Sequence, residues 1–154
     1  MEDKPYSAID GGLAANNPAA CGLAAALRLG YEPRDVSILS LGTGDPTQSI
    51  SWEQARSWGA FNWIERGRVV RVLMDGPSDI YHYIVKQAIQ DSARYLRLQF
   101  PLSERLTNKP LNDAIDDASP ENIRNLMEAA SVFIEKPAKQ RAIHRFFRSS
   151  ELSC

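Results

Sequence analysis

A short apolar run closed by glycines constrains this chain more than any other feature. Residues 36–41 read Val-Ser-Ile-Leu-Ser-Leu, which is strand-like in length and composition. Turn formers follow in Gly42-Thr43-Gly44-Asp45-Pro46-Thr47. Upstream, Asn17 suits a helix N-cap, Pro18 the first helical position and Gly30 a helix stop, so a helix is expected over 19–29. Five alanines keep that helix thin enough to lie close to a sheet. Residues 4–9 read as an earlier strand, ended by the turn Asp10-Gly11-Gly12. Strand, turn, helix, strand is the grammar of a parallel sheet.

Most of the remaining chain reads as helix. Residues 52–73 carry Trp52, Trp58 and Trp63 and predict one or two helices. Gly76-Pro77 is expected to break the pattern, with Ser78 or Asp79 capping a helix to about Arg94. Residues 95–100 alternate, as a half-exposed strand should. Ser119-Pro120-Glu121 opens a helix to Ile134, and Pro137 ends that element and opens a basic final helix. The sum is an α/β chain of about three strands and about five helices. That is a thin sheet for so many helices, so part of the sheet is expected to be absent. The organisation predicted is one domain over 1–135 and a basic helix and tail over 136–154.

Composition narrows the partners. Eighteen basic against nineteen acidic residues give a net charge of −1, so no bulk positive field holds a nucleic acid. Cys21 and Cys154 suggest neither a disulfide framework nor a metal site, and suit a reducing compartment. Residues 1–5 lack a signal-peptide run, and no stretch of about 18 apolar residues is long enough to span a bilayer. A cytoplasmic protein, peripheral to membranes at most, is the expectation.

Asp10 is the foremost candidate for chemistry. A carboxylate at a strand end in an open α/β sheet stands where ligands bind. Burial can make such a carboxylate a general base. Asp-Gly-Gly is also a plain turn, with Asp capping its own backbone. The tripeptide alone leaves both readings open.

The longer string does more. Ile9-Asp10-Gly11-Gly12-Leu13-Ala14-Ala15-Asn16-Asn17-Pro18, then Ile38-Leu39-Ser40-Leu41-Gly42-Thr43-Gly44, closely resembles the patatin-like phospholipase family. Trp58-Gly59-Ala60 with Trp63, Tyr95-Leu96-Arg97-Leu98-Gln99, Leu111-Asn112-Asp113 and Asp116-Asp117-Ala118-Ser119 resemble later family segments in the same order. The resemblance covers most of 5–135 and implies a partial three-layer α/β/α patatin-like fold, its C-terminal half.

It also implies a reaction. Members are lipid acyl hydrolases with a Ser–Asp dyad and no catalytic histidine, metal or cofactor. The serine sits in a Gly-x-Ser-x-Gly elbow, and the aspartate sits in a motif matched here by Asp10-Gly11-Gly12. A serine hydroxyl is a weak nucleophile until a positioned base takes its proton. The tetrahedral intermediate then needs backbone N–H donors aimed at its oxyanion. None of the fourteen serines here stands in Gly-x-Ser-x-Gly, and no glycine-rich loop precedes Asp10. The chain is therefore expected to carry the base of a lipid or acyl-ester hydrolase without its nucleophile or oxyanion loop. It should be inactive alone and poorly soluble, with an open sheet edge. The alternatives are a split subunit completed by a Gly-x-Ser-x-Gly partner such as the missing N-terminal half, and a non-catalytic binding module.

Other features have plainer readings. Gly42-Thr43-Gly44 lacks the rest of a phosphate loop and reads as a turn. His82 and His144 are the only histidines, and neither is placed for a triad with Asp10. Asp113, Asp116 and Asp117 lack calcium-loop spacing and suit a helix N-terminus instead of a metal. Lys136, Lys139, Arg141, Arg145 and Arg148, with Ile143, Phe146 and Phe147, could lie on a membrane surface or form a packed terminal helix.

Overall fold

The computed structural model describes residues 10–45, 50–64, 68–112, 114 and 117–151. The strand expected over 4–9, Asp113, Asp116 and Cys154 lie outside the described residues. Seven α-helices and two strands are seen among those that are described. In chain order they are α1 (Gly12–Ala15), α2 (Ala19–Arg28), β1 (Ile38–Leu41), α3 (Trp52–Ala55), α4 (Ala60–Ile64), α5 (Arg68–Ile89), β2 (Tyr95–Leu98), α6 (Pro120–Glu135) and α7 (Pro137–Glu151).

The two strands pair in parallel, with Ile38 opposite Tyr95 and Ser40 opposite Arg97. The connection between them carries α3, α4 and α5, as a parallel crossover requires. Alternate residues of β2 enter different apolar clusters, which follows from the two-residue side-chain period of a strand. Tyr95 packs with Ala19 and Leu23 of α2 and with Val85 and Ile89 of α5. Leu98 packs instead against Phe100 and against Ala129 and Phe133 of α6. The chain is thus helix-rich α/β, built on a small parallel sheet.

Local signals act as the sequence predicts at several ends. The start of α2 differs: Pro18 and not Asn17 is its N-cap, and Asn17, one residue earlier, accepts the Ala19 N–H at 3.3 Å as an Asx turn, whereas Gly30 follows α2 as expected with a φ of +93°. A side chain there would be strained, which is the reason for glycine. Ser119 accepts the Asn122 N–H at 3.3 Å, with Pro120 in the first turn of α6.

Gly76-Pro77 departs from expectation. α5 runs unbroken from Arg68 to Ile89 with Pro77 inside it. Proline removes one N–H donor and costs about 3 kcal/mol in a helix interior. Tertiary burial offsets that cost: Ser78, Val85 and Ile89 are all buried along the inner face of α5. Ser78 is consequently no cap but a buried residue within the helix.

The opposite face of α5 exposes Val72, Leu73, Ile80, Tyr83 and Ile84, and β1 exposes Leu39 and Leu41. Such surface normally marks an interface. No helix among the described residues is long and apolar enough to cross a membrane.

Candidate functional site

Asp10 opens the turn into α1. Its Oδ1 accepts the Gly12 N–H at 2.8 Å, and its carbonyl accepts the Leu13 N–H at 3.2 Å. This is the self-capping geometry of an Asx turn. The residue is exposed, and among the described residues no serine hydroxyl is hydrogen-bonded to it. The space at Gly12 is tight: a Cβ there would stand 3.0 Å from Met74 Cε and 3.2 Å from Asp10 Oδ1, so one of them would have to shift slightly. Gly11 has open space, so its motif role is not a packing one. Tyr81 of α5 donates to the Ala14 carbonyl at 3.1 Å and so ties α1 down.

Asn17 anchors the same segment from its other end. It is 1% exposed. Its Nδ2 donates to the Ser78 carbonyl at 3.2 Å, while its Oδ1 accepts from Ser40 Oγ at 3.1 Å. Arg97 completes the set, donating from Nη1 to Ser40 Oγ at 2.8 Å and from Nη2 to Ser78 Oγ at 3.3 Å. One polar network therefore joins the start of α2, both strands and the middle of α5.

A cleft of about 300 Å³ opens beyond this network, at the carboxyl ends of β1 and β2. Asn16, Asp45, Asp75, Ser78, Arg97 and Gln99 are among its walls. Asp10 does not line it, although Asn16 does. Ligands of open α/β sheets bind at such strand ends.

The Gly42-Thr43-Gly44 turn is closed by internal bonds. Gly42 N–H donates to the Leu98 carbonyl at 2.9 Å, and Gly44 N–H donates to Gln99 Oε1 at 3.0 Å. Gln99 Nε2 in turn donates to Asp45 Oδ1 at 2.6 Å. Those two N–H groups are committed, in keeping with a structural turn.

His82 shares a 2.8 Å hydrogen bond with the Tyr95 hydroxyl, and among the described residues it makes none to Asp10. Burial, then Arg97 and Lys86, holds its imidazole below the usual histidine range, with Asp79 pulling weakly the other way. Burial likewise pushes the Tyr95 phenol up. Asp117 accepts the Ser119 N–H at 3.0 Å and a bond from Asn112 Nδ2 at 2.6 Å, which together hold its carboxyl below the usual range. It serves the start of α6 as expected. Among the described residues no three His, Cys, Asp or Glu side chains converge as metal ligands would.

The basic terminal helix is docked in part. Phe146 of α7 is 5% exposed, Ser149 Oγ donates to the Ala93 carbonyl at 2.9 Å, and Lys139 lies 4.7 Å over the Phe133 ring. Phe147 remains exposed.

Sequence reasoning took Asn17 for a cap only and overlooked Arg97. A signal was present. Tyr95 and Arg97 share one face of β2, and a charged residue turned toward a core face demands hydrogen-bond partners.

No family model matches the chain. Relatives do: patatin-like protein 2 of Oryza sativa subsp. indica is 26% identical over 157 residues, 88% of this chain. Patatin-like protein 2 of Arabidopsis thaliana is 27% identical over 87% of the chain, and patatin-like protein 6 of the same plant is 31% identical over 84%. The chain is similar to patatin-like proteins. It spans 38%, 37% and 27% of the length of those patatin-like relatives, respectively. The aligned share includes most of the network that joins α2, the strands and α5.

Proposed function

We propose that this chain is part of a patatin-like lipid acyl hydrolase, with Asp10 as the base of a Ser–Asp dyad. The observation that carries the reading is the similarity to patatin-like proteins over more than four-fifths of the chain. The Asp10-Gly11-Gly12 turn supports the assignment, since the segment it opens is tied to α5 and β1 by Tyr81 and Asn17. The substrate class is a lipid or other acyl ester. A partner segment bearing Gly-x-Ser-x-Gly supplies the nucleophile and the oxyanion donors. That segment covers the exposed leucines of β1 and completes a three-layer α/β/α sheet. The action is cytoplasmic, at a lipid surface that the basic face of α7 can approach.

In this reading Asp10 accepts the serine proton as the hydroxyl attacks the ester carbonyl. It returns that proton to the leaving alcohol, and water then releases the acid from the acyl-enzyme. The test is hydrolysis of a short p-nitrophenyl ester by the purified chain, alone and with a patatin-like segment that carries the serine elbow. The chain alone should not exceed the blank. Turnover should appear on complementation and vanish with Asp10→Asn. Hydrolysis by the chain alone that Asp10→Ala abolishes would overturn the inactivity, and complemented turnover indifferent to Asp10→Asn would overturn the base.

A further inference from the structure

A second pocket, of about 460 Å³, shares Arg97 with the strand-end cleft. His82, Lys86, Gln87, Gln90, Ser92 and Arg97 form most of it, and Asp10 is not part of it. We infer that this pocket binds a phosphate group, gripped by Arg97 and Lys86 with His82 beside them.

Arg97 and Lys86 bring spare donors to the pocket. A guanidinium carries five N–H donors in a fixed fork suited to oxyanions. Arg97 places two bonds, both on serine hydroxyls, and meets no carboxylate among the described residues. The residue is only half-buried, so its remaining donors can face a ligand. Lys86 stands one helical turn beyond His82, on the same face of α5, and is exposed. It too makes no ion pair among the described residues. Gln87, Gln90 and Ser92 add neutral donors around the rim.

The acids nearby do not cancel this. Asp91 also lines the pocket. Its carboxylate is already committed, accepting the Ala93 N–H at 2.8 Å and Arg94 Nε at 3.2 Å. Asp79 is the one acid felt by His82, and it acts less strongly than Arg97 or Lys86. The Tyr95 hydroxyl occupies His82 Nδ1 at 2.8 Å and leaves the other ring nitrogen free of that bond. Burial first, and after it the charges of Arg97 and Lys86, lower the basicity of His82, so only part of that shift reflects the positive potential. An anion in the pocket must relieve it, and the imidazole pKa must then rise.

Two sources share this chemistry: free phosphate and the phosphomonoester of a headgroup. The experiment is a titration of the ¹⁵N-labelled chain, following the His82 ring by NMR, with inorganic phosphate and separately with glycerol 3-phosphate. Saturable shifts with a dissociation constant of about 1 mM or tighter, and a His82 pKa raised by about half a unit or more, are expected. Lys86→Gln should weaken binding about threefold while leaving the backbone amide spectrum intact, and Lys86→Arg should restore it. Tighter binding of glycerol 3-phosphate assigns a headgroup, and tighter binding of inorganic phosphate assigns the free ion. Absence of a saturable shift for both ligands at about 20 mM overturns the site, as does binding indifferent to Lys86→Gln.

Discussion

Replacing Asn17 tests the network that ties the Asp10 segment to the sheet. The side chain is 1% exposed and makes three hydrogen bonds, to the Ser78 carbonyl, Ser40 Oγ and the Ala19 N–H. Each contributes about 1 kcal/mol net. Asn17→Ala should therefore destabilise the chain by about 3 kcal/mol. For a chain of this size each kcal/mol lowers the melting temperature by about 2–4 °C, so a drop of about 6–12 °C is expected. Asn17→Leu separates polar from packing effects. It refills the volume but leaves the partners unpaired, so its loss should match that of alanine. Asn16→Ala, at an exposed neighbour, should stay within about 0.5 kcal/mol. Urea unfolding followed by circular dichroism measures all three. A loss below about 1 kcal/mol in Asn17→Ala, or recovery in Asn17→Leu, would refute the assignment of the stability to these bonds.

Further outcomes follow from the same geometry. Gly42→Ala should lose about 1–3 kcal/mol, because its Cβ would overlap the Gln99 amide that closes the turn. Gly22→Ala, with open space in the middle of α2, should gain about 0.5–1 kcal/mol, and paired thermal melts read both signs. Phe146→Ala should lose about 3 kcal/mol if α7 is held to the body through that ring, whereas an unchanged melt would mean an undocked helix. For His82 the folded pKa lies below the unfolded value of about 6.5, so its contribution is whole above that pH. It is lost as pH falls from there through the folded pKa, since the unfolded chain takes up the proton first. Urea midpoints across that range should fall in the wild type and flatten in His82→Gln.

The punctuation of this chain was legible without a fold. Gly30, Ser119 and Pro120 act within a few residues of themselves, through capping and left-handed backbone, so local chemistry decided them. The strands at Ile38–Leu41 and Tyr95–Leu98 were equally visible, because alternation and loop formers mark them. The Asp-Gly-Gly turn and its string of neighbours pointed to patatin-like proteins, and the relatives agree. Tertiary structure alone decided the rest. Pro77 reads as a stop in any local scheme, yet burial of one face of α5 outweighs its missing bond. Ser78 became a buried acceptor for Arg97 for the same reason. Arg97, Ser40 and Asn17 lie far apart in sequence and meet only because parallel register sets Arg97 beside Ser40 and α2 returns over both. No periodicity encodes such a meeting. It depends on which strand lies next to which, and at what offset.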